Sequence, residues 1–192
     1  VAMLRRMFAS AATPRLPLGT TTTAIAPLQR VAVGSQLRRS NSTFNAFVCD
    51  KLQTSSEFTK DSFPIKSLPS LEPKKGEVVI AVKAAAANFP DVLIVQGKYQ
   101  FKPEGEFSPG SEVAGVVAKT GEGVKNVKVG DEVIGVHPWG GFAEEMLVPA
   151  RNLVPKPKGM PFPEASAFLM VYGTSYYALA DLAKLQPGET LL

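Results

Sequence analysis

The amino-acid sequence predicts a mainly β domain with some α-helix, built as a barrel or sandwich of short strands. Three observations support this fold class. Short apolar runs rich in Val and Ile recur after residue 44. Turns separate them, drawing on the 16 Gly and 16 Pro of the chain. After residue 44, helical periodicity appears only beyond residue 163. Short strands with closely spaced Gly and Pro turns are typical of barrels and sandwiches.

The strands follow from the apolar runs and the turns between them. The run at 77–83 is β-branched, suits a strand buried on both faces, and continues through the small residues 84–87. Gly115 allows a close backbone approach inside the next strand. Residues 54–71 are polar, contain Pro64 and Pro69, and predict a loop with one edge strand. The remaining strands are predicted at residues 46–49, 112–118, 132–136, 142–148 and 152–155.

The last quarter of the sequence predicts helices. Pro163 suits the first turn of a helix over residues 164–170. Thr174 or Ser175 is predicted to cap a second helix. Its apolar stripe comprises Tyr176, Leu179, Ala180 and Ala183. A further strand is predicted to start at Thr190.

Residue counts exclude several kinds of site. The single Cys49 and the single His137 exclude an intrachain disulfide, and zinc sites built from four Cys or from two Cys and two His. The longest stretch without a charge, residues 165–180, is too short and too polar to cross a bilayer. We therefore expect a soluble protein with no membrane span.

The net charge of +4 is unevenly distributed along the chain. Residues 1–49 contain six Arg and no acid, which leaves 15 Lys and Arg against 17 Asp and Glu in the rest. Because the presumed folded part is mildly acidic, we expect no nucleic-acid binding. The front segment is rich in Arg, Ser, Thr and Ala, and residues 4–11 form a short basic amphipathic pattern. These features predict a mitochondrial transit peptide, with a disordered basic tail or a plastid address as alternatives.

Several ordered motifs carry the chemical information. Taken together, in this order and at this spacing, they resemble the medium-chain dehydrogenase/reductase superfamily, most closely its zinc-free branch of zeta-crystallin-type NADPH quinone oxidoreductases. The resemblance covers residues 44–192. The motifs are Asn-Phe-Pro-Asp at 88–91, Gln-Gly-Lys-Tyr at 96–99, Pro-Gly-Ser-Glu-Val-Ala-Gly at 109–115, Val-Gly-Asp-Glu-Val at 129–133, Gly-Thr-Ser-Tyr-Tyr-Ala-Leu at 173–179, and Leu-Gln-Pro-Gly-Glu at 185–189.

The resemblance implies a domain organisation. Residues 1–43 are assigned to the transit peptide, which is expected to be disordered, and residues 44–170 to a GroES-like, partly open β-barrel catalytic domain. Residues 171–192 are the start of a truncated Rossmann cofactor domain. The dinucleotide fingerprint G-x-G-x-x-G is expected soon after the strand that starts at Thr190. In the family, a homodimer of the full-length protein is common.

The resemblance also bears on metal use. Zinc alcohol dehydrogenases of the same superfamily place a Cys where this chain has Asn88, and a His where it has Ser111. Neither Asn nor Ser is a normal zinc ligand, so no metal site is expected. An enzyme without a Lewis acid can still deliver hydride to an acceptor that is already electrophilic, such as a quinone or an α,β-unsaturated carbonyl.

The resemblance implies roles for four residues. Asn88 is assigned to the nicotinamide pocket, as a catalytic and cofactor-binding residue, and Asp91 and Thr174 to cofactor binding. Tyr99 is assigned as the catalytic group that supplies a proton or hydrogen bond to the substrate oxygen. Each has a structural alternative: turn formation for Asn88, turn formation or helix capping for Asp91, loop packing for Tyr99, and helix capping for Thr174.

Other residues near these motifs favour structural roles. Ser111 is a further candidate for the pocket lining, and Glu112 is expected to find a polar partner when buried. His137, Trp139 and Phe142 are expected to be loop, wall or core residues, and Cys49 a small buried hydrophobe.

The sequence therefore predicts a mitochondrial-matrix reductase that uses NADPH to reduce a small quinone or enone without zinc. One alternative is a trans-2-enoyl thioester reductase of mitochondrial fatty-acid synthesis. A third hypothesis, from another class, is a non-catalytic GroES-like barrel that serves as a binding module.

The transit-peptide hypothesis has a direct test. A reporter fused behind residues 1–45 should accumulate in mitochondria, because an acid-free amphipathic Arg segment is what import receptors select. Fluorescence microscopy with a mitochondrial marker provides the measurement. A reporter that stays diffuse in the cytosol would show that the segment carries no such address.

Overall fold

The computed structural model describes residues 43–52 and 62–192, which form two antiparallel sheets. The larger sheet has five strands in the order β6-β3-β4-β5-β7, and β1 and β2 form a two-stranded ribbon. The strands are β1 (Thr43–Phe47), β2 (Ile65–Pro69), β3 (Glu77–Ala86), β4 (Glu112–Thr120), β5 (Glu132–Val136), β6 (Glu145–Pro149) and β7 (Leu153–Pro155).

The ribbon lies beside the β6 edge of the larger sheet. Ala46 and Ala143 form an isolated antiparallel bridge between the ribbon and the segment that precedes β6. Two backbone hydrogen bonds flank it: Phe47 donates to the carbonyl of Phe142 at 2.9 Å, and Glu144 donates to that of Asn45 at 2.9 Å. These few bonds extend the curved sheet without closing it by a continuous strand ladder within the described residues, in agreement with the expected partly open architecture.

Three short helices complete the described structure. They are α1 (Phe89–Val95), α2 (Phe162–Ser166) and α3 (Leu169–Tyr176), and a π-helical extension (Tyr177–Leu182) follows α3. A single 3₁₀ turn (Ala150–Asn152) separates β6 from β7. α2 packs on β3 and β4, and α3 contacts β5.

Apolar side chains on both faces of the five-stranded sheet form the core. β-branched residues suit this position because they pack well on a pleated surface. One cluster lies on one face of the sheet and includes Val78, Ile80, Val113, Val117, Val133 and Met146. The second cluster joins the sheet to α2 and α3 and comprises Ala114, Ile134, Val154, Ala165 and Leu169.

Most of the predicted strands are confirmed. β3 is buried on both faces at Val78, Val79 and Ile80, and β5 has the predicted bounds. Residues 65–69 form the one edge strand expected in the polar loop. The first strand was predicted too late in the chain: β1 ends at Phe47, and Cys49 forms only an isolated bridge with Phe107. β6 starts three residues later than predicted, because residues 142–144 turn toward the ribbon.

The helix boundaries differ from the predictions in three places. Residues 89–95, expected as a turn followed by an apolar run, form α1. The helix predicted at 164–170 is interrupted between Ser166 and Leu169. Thr174 and Ser175 do not cap a helix, because they lie inside α3 and donate their hydroxyls to the carbonyls of Met170 and Val171.

The strand predicted at Thr190 is not observed. Residues 190–192 have no regular secondary structure. A strand is defined by a neighbouring strand with which it pairs, and no described residue provides one.

Two predictions fall wholly or partly on residues outside the described set. The transit peptide lies almost entirely within residues 1–42, and the predicted polar loop includes residues 53–61. Across 43–52 and 62–192, no helix combines the length and the hydropathy that crossing a bilayer requires.

Gly115 allows β3 and β4 to approach closely, as the sequence indicated. A Cβ at this position would collide with the Ala81 carbonyl oxygen and lie 2.7 Å from Ile80 Cγ2. We expect Gly115→Ala to lower the free energy of unfolding by about 3 kcal/mol, because the carbonyl cannot rotate away. Urea denaturation provides the measurement.

Gly105→Ala is the control for this substitution. Gly105 has a positive φ of 74°, but a Cβ there would meet nothing within 4 Å. Gly105→Ala should therefore lower the free energy of unfolding by only about 1 kcal/mol, which is the cost of a left-handed backbone at a residue with a Cβ. If the two variants lose the same free energy of unfolding, close packing of β3 against β4 at Gly115 is not required.

Candidate active site

The Asn-Phe-Pro-Asp sequence starts α1 at the end of β3. Asn88 is the N-cap residue, with an extended backbone (φ −119°, ψ 156°), and Pro90 lies in the first turn. The Asp91 carboxylate accepts the backbone N–H of Asn88 at 2.7 Å, one half of a capping box. These residue types therefore have a local reason to be there, and the same geometry fixes both side chains at one corner of the sheet.

Asp91 reaches from α1 to the start of β4. Its side chain is only 5% exposed, and its second oxygen accepts the Ser111 hydroxyl at 2.5 Å. Both oxygens of this buried carboxylate are therefore hydrogen-bonded, as buried polar groups require. The pair thus joins two elements that are twenty residues apart in sequence.

Glu112, the residue after Ser111, is a fully buried acid at 0% exposure. One oxygen accepts the backbone N–H groups of Leu169 at 2.5 Å and Met170 at 3.2 Å, and the other accepts the Asn88 amide at 3.4 Å. The expected polar partners are therefore present. Burial raises the pKa of the Glu112 carboxyl, the hydrogen bonds oppose this, and the nearby Asp91 charge raises the pKa further.

A cavity of about 640 Å³ opens beside this network. Asn88 and Asp91 line it at α1, and the other walls come from β1, the start of β2, the end of β3 and the segment 141–144. Its lining is mainly apolar, and its size falls within the range of small-molecule sites. Asn88, at the corner of the sheet where α1 begins, therefore lies next to a cavity large enough for an organic ligand.

Tyr99 and Thr174 lie apart from the residues that line this cavity. Tyr99 is half-buried against the cluster of Cys49, Ile94, Val95 and Phe107. Its ring centroid is 6.0 Å from that of Phe101. Thr174 is exposed, and its hydroxyl donates to the Met170 carbonyl at 2.6 Å. The structure thus brings together Asn88 and Asp91 but neither of the other two predicted site residues, whose functional roles stay predictions.

The remaining candidates occupy structural positions. The His137 ring is half-buried, with Nδ1 3.1 Å from the Trp139 carbonyl oxygen. Trp139 packs edge-on against Phe107, whereas Phe142 lines the cavity. Cys49 is fully buried, and burial raises the pKa of its thiol. A buried thiol of this kind behaves as a small hydrophobe.

The sequence reasoning missed the wall of the cavity that the ribbon provides. Phe47 and Ile65 are paired across β1 and β2, and both line the cavity with Phe63. Phe47 and Ile65 are exposed large apolar side chains in neighbouring positions, at 47% and 65%. The sequence signal was Phe47, an apolar residue at a β1 position where the alternation of Thr43–Ala46 would place a polar one, and this does not say what the outward face contacts.

The described residues contain no cluster of three or more His, Cys, Asp and Glu placed to hold a metal ion. At the corner formed by Asn88, Asp91, Ser111 and Glu112, the first offers an amide and the third a hydroxyl. The two carboxylates already accept hydrogen bonds. This donor set differs from the thiolates and imidazoles that bind zinc in proteins.

Residues 74–158 match the family described as the alcohol dehydrogenase GroES-like domain. This part of the chain belongs to that family. The resemblance to the medium-chain dehydrogenase/reductase superfamily that the motifs indicated is therefore confirmed.

Known relatives extend the similarity beyond the GroES-like domain. A quinone oxidoreductase-like protein 2 homolog from Nematostella vectensis is 36% identical over 175 residues, covering 86% of this chain and 46% of that protein. A mycobacterial protein solved with NADPH superposes with a TM-score of 0.67 at 26% identity, covering 76% of this chain and 44% of that one. The CurK enoyl reductase superposes with a TM-score of 0.63 at 32% identity, covering 76% and 45%. The chain thus spans somewhat less than half the length of each relative.

Glu112 of the GroES-like domain supports a stability prediction. Glu112→Ala should lower the free energy of unfolding by about 3 kcal/mol, because it leaves two backbone N–H groups and the Asn88 amide without their acceptor. Glu112→Gln keeps an acceptor oxygen for the backbone N–H groups of α3, so it should lower the free energy of unfolding by less. Urea denaturation of both variants provides the measurement.

The pH dependence of Glu112→Gln gives a second, independent readout. Because burial raises the pKa of Glu112, the folded state binds more protons than the unfolded state above the ordinary Glu pKa. Wild-type stability should therefore fall, relative to the Gln variant, as the pH rises from about 4.3 through the folded pKa. If the difference in free energy of unfolding between the wild type and Glu112→Gln does not vary with pH, the prediction is wrong.

Proposed function

We propose that the full-length protein transfers hydride from NADPH to a quinone or an α,β-unsaturated carbonyl without zinc. The observation that carries the proposal is the corner of Asn88, Asp91, Ser111 and Glu112, which joins α1, β4 and α3 beside an apolar cavity. Asn88 and Ser111 stand where the zinc alcohol dehydrogenases of the superfamily carry Cys and His. The corner therefore offers hydrogen bonds where those relatives offer metal ligands.

The residues at the corner fit a nicotinamide ring. Asn88 is half-buried at the cavity, and its carboxamide is oriented by Glu112. Such a group can hydrogen-bond an amide ligand while the apolar walls exclude water. NADPH, when bound, supplies the hydride. The mycobacterial structure solved with NADPH supports a nicotinamide cofactor, and the resemblance to NADPH quinone oxidoreductases favours NADPH.

Asp91 and Thr174 would act around the ring and not on the reacting atoms. Asp91 has both oxygens engaged, so it holds Asn88 and Ser111 in place. Thr174 donates its proton to the Met170 carbonyl, which leaves its oxygen lone pairs free to accept a hydrogen bond from the cofactor.

Tyr99, or a water molecule, would supply the proton that completes the reduction. Tyr99 follows Gly97, which has a positive φ of 65° that ends α1 in a tight turn. Its half-buried ring lies on the cluster beneath α1, which fixes it in relation to the helix that carries Asp91.

Reduction of a trans-2-enoyl thioester is a second candidate function. The similarity to the CurK enoyl reductase favours it, and the same hydride chemistry applies because the acceptor is also an enone-type carbonyl. Turnover of the full-length protein on crotonyl thioesters and on small quinones would separate the two substrates.

We also propose that the full-length protein works in the mitochondrial matrix as a homodimer. The Arg-rich, acid-free front segment supports the location, and the resemblance supports the assembly. Fractionation of mitochondria and sedimentation of the purified protein test these two points separately.

Replacing Tyr99 by Phe tests the proposed proton donor. In the full-length protein, Tyr99→Phe should lower kcat by about 10²-fold and change the KM for NADPH little, because only proton transfer is lost. Steady-state kinetics provide the measurement. An unchanged kcat would remove Tyr99 from the mechanism and leave water as the donor.

Zinc content is the control for the reaction type. The purified full-length protein should keep its activity after dialysis against a chelator, because Asn88 and Ser111 offer no zinc ligand. Stoichiometric zinc whose removal abolishes activity would contradict the zinc-independent mechanism.

A further inference from the structure

The end of the larger sheet opposite the Asn88 corner carries an excess of positive charge. Its segments 74–77, 121–131 and 150–152, which we call the basic end, contain five Lys and Arg against three Asp and Glu. Residues 50–192 as a whole contain 15 against 17. The nine residues of β4 run from the corner to the basic end. At about 3.3 Å per residue the two ends lie roughly 25 Å apart, which is about three Debye lengths in physiological salt. The field at each end is therefore set mainly by its own charges.

Hydrogen bonds hold the three segments of the basic end together. Gly76 donates its backbone N–H to the Glu122 carbonyl, and Ala150 donates its own to the Gly76 carbonyl, each at 2.9 Å. The Asn126 side chain donates to the Ala150 carbonyl at 2.8 Å. Segments that are distant in sequence therefore form one continuous surface.

Four of the five cations at the basic end are exposed and form no ion pair with any residue that the structure describes. They are Lys74, Lys75, Lys125 and Arg151. Two of the three acids are already engaged, because Asp131 pairs with Lys128 at 2.7 Å and Glu77 accepts the backbone N–H of Lys74 at 2.8 Å. An external anion can therefore bind the four free cations without displacing a partner.

An exposed apolar side chain belongs to the same surface. Val124 and Val127 pack against the core cluster of the sheet, which fixes the loop that contains them. Val129 follows Lys128 and is 60% exposed. An apolar side chain among cations is typical of proteins that bind a bilayer surface, because the apolar group enters the headgroup region while the cations contact lipid phosphates.

From this surface we infer that the basic end docks on a bilayer of anionic phospholipids. The free cations would lie at the plane of the lipid phosphates, with Val129 in the headgroup region. These cations are spread over three segments and do not line the apolar cavity, an arrangement that suits a plane of charge better than one compact anion. The exposed Val129 favours a bilayer over an acidic protein. The inference goes beyond the proposed reductase activity and does not depend on it.

Co-sedimentation of the 192-residue chain with vesicles tests the docking surface. The chain should bind vesicles of equal parts phosphatidylcholine and phosphatidylglycerol, and bind pure phosphatidylcholine vesicles far more weakly. The double variant Lys75→Glu/Lys125→Glu should lower the partition coefficient on the anionic vesicles by at least about tenfold, because each cation near such a bilayer contributes about fivefold.

The matched control is the double variant Lys98→Glu/Lys102→Glu. It makes the same change in net charge at two exposed positions that follow α1, away from the basic end. It should lower the partition coefficient by less than about threefold, because its charges lie beyond the screening length from the bilayer. The Arg-rich residues 1–49 are present in both double variants, so the binding that they contribute does not distinguish them.

A fluorescent label identifies the surface that meets the bilayer. Val129→Cys labelled with nitrobenzoxadiazole should gain emission when the anionic vesicles are added, because the label moves from water into the headgroup region. The same label at Lys102→Cys should show no change. Cys49 is fully buried, so the label goes to the introduced thiol.

Four results would overturn the inference. Equal losses of vesicle binding in the two double variants would show that the bilayer senses only total charge or the front segment. A change of emission at residue 102 and none at residue 129 would place the bilayer at the other end. Loss of vesicle binding in inorganic phosphate, but not in sodium chloride of equal ionic strength, would indicate a site for one compact anion. Binding of polyglutamate without binding of vesicles would assign the surface to an acidic protein.

Discussion

The buried carboxylate of Glu112 imposes the main constraint on this structure. A charge inside a sheet is costly unless hydrogen-bond donors surround it, and no side chain on β4 itself provides them. The donors come from two other elements: the Asn88 amide at the start of α1, and the backbone N–H groups of Leu169 and Met170 at the start of α3. One side chain therefore fixes the positions of both helices relative to the sheet, and the candidate site depends on that arrangement.

A second carboxylate completes the corner in a complementary way. Asp91 accepts the Asn88 backbone N–H at the start of α1, and it accepts the hydroxyl of Ser111, the residue before β4. Ser111, just before β4, thus binds Asp91, and Glu112, the first residue of β4, binds the N-cap residue Asn88. Asp91 accepts the backbone N–H of Asn88 and Glu112 accepts its side-chain amide, which fixes Asn88 at the wall of the cavity. The same residues that make a stable corner can in this way present a directed polar group to a ligand.

The cavity arises from how the ribbon meets the larger sheet. The Ala46–Ala143 bridge, its flanking backbone hydrogen bonds and the hydrogen bonds from Asn45 to the Glu144 carboxylate join them. Small residues on both sides keep the backbones close without filling the space behind. Within a GroES-like domain, this leaves an apolar compartment directly beside the polar corner. The polar corner of Asn88, Asp91, Ser111 and Glu112 and the apolar compartment are therefore in direct contact.

The sequence by itself determined the mainly β fold class, most of the strands and the helix-capping alternative for Asp91, because strand patterning, turn chemistry and capping are local properties. It also indicated that Glu112 needs a polar partner. Only the tertiary structure decided which groups these partners are. The backbone N–H groups of Leu169 and Met170, which donate to Glu112, lie 57 and 58 residues further along the chain. The tertiary structure likewise decided that Thr174 lies within α3 and that Phe47 and Ile65 face a cavity. Such contacts depend on how distant elements pack, and no local pattern of residues encodes that.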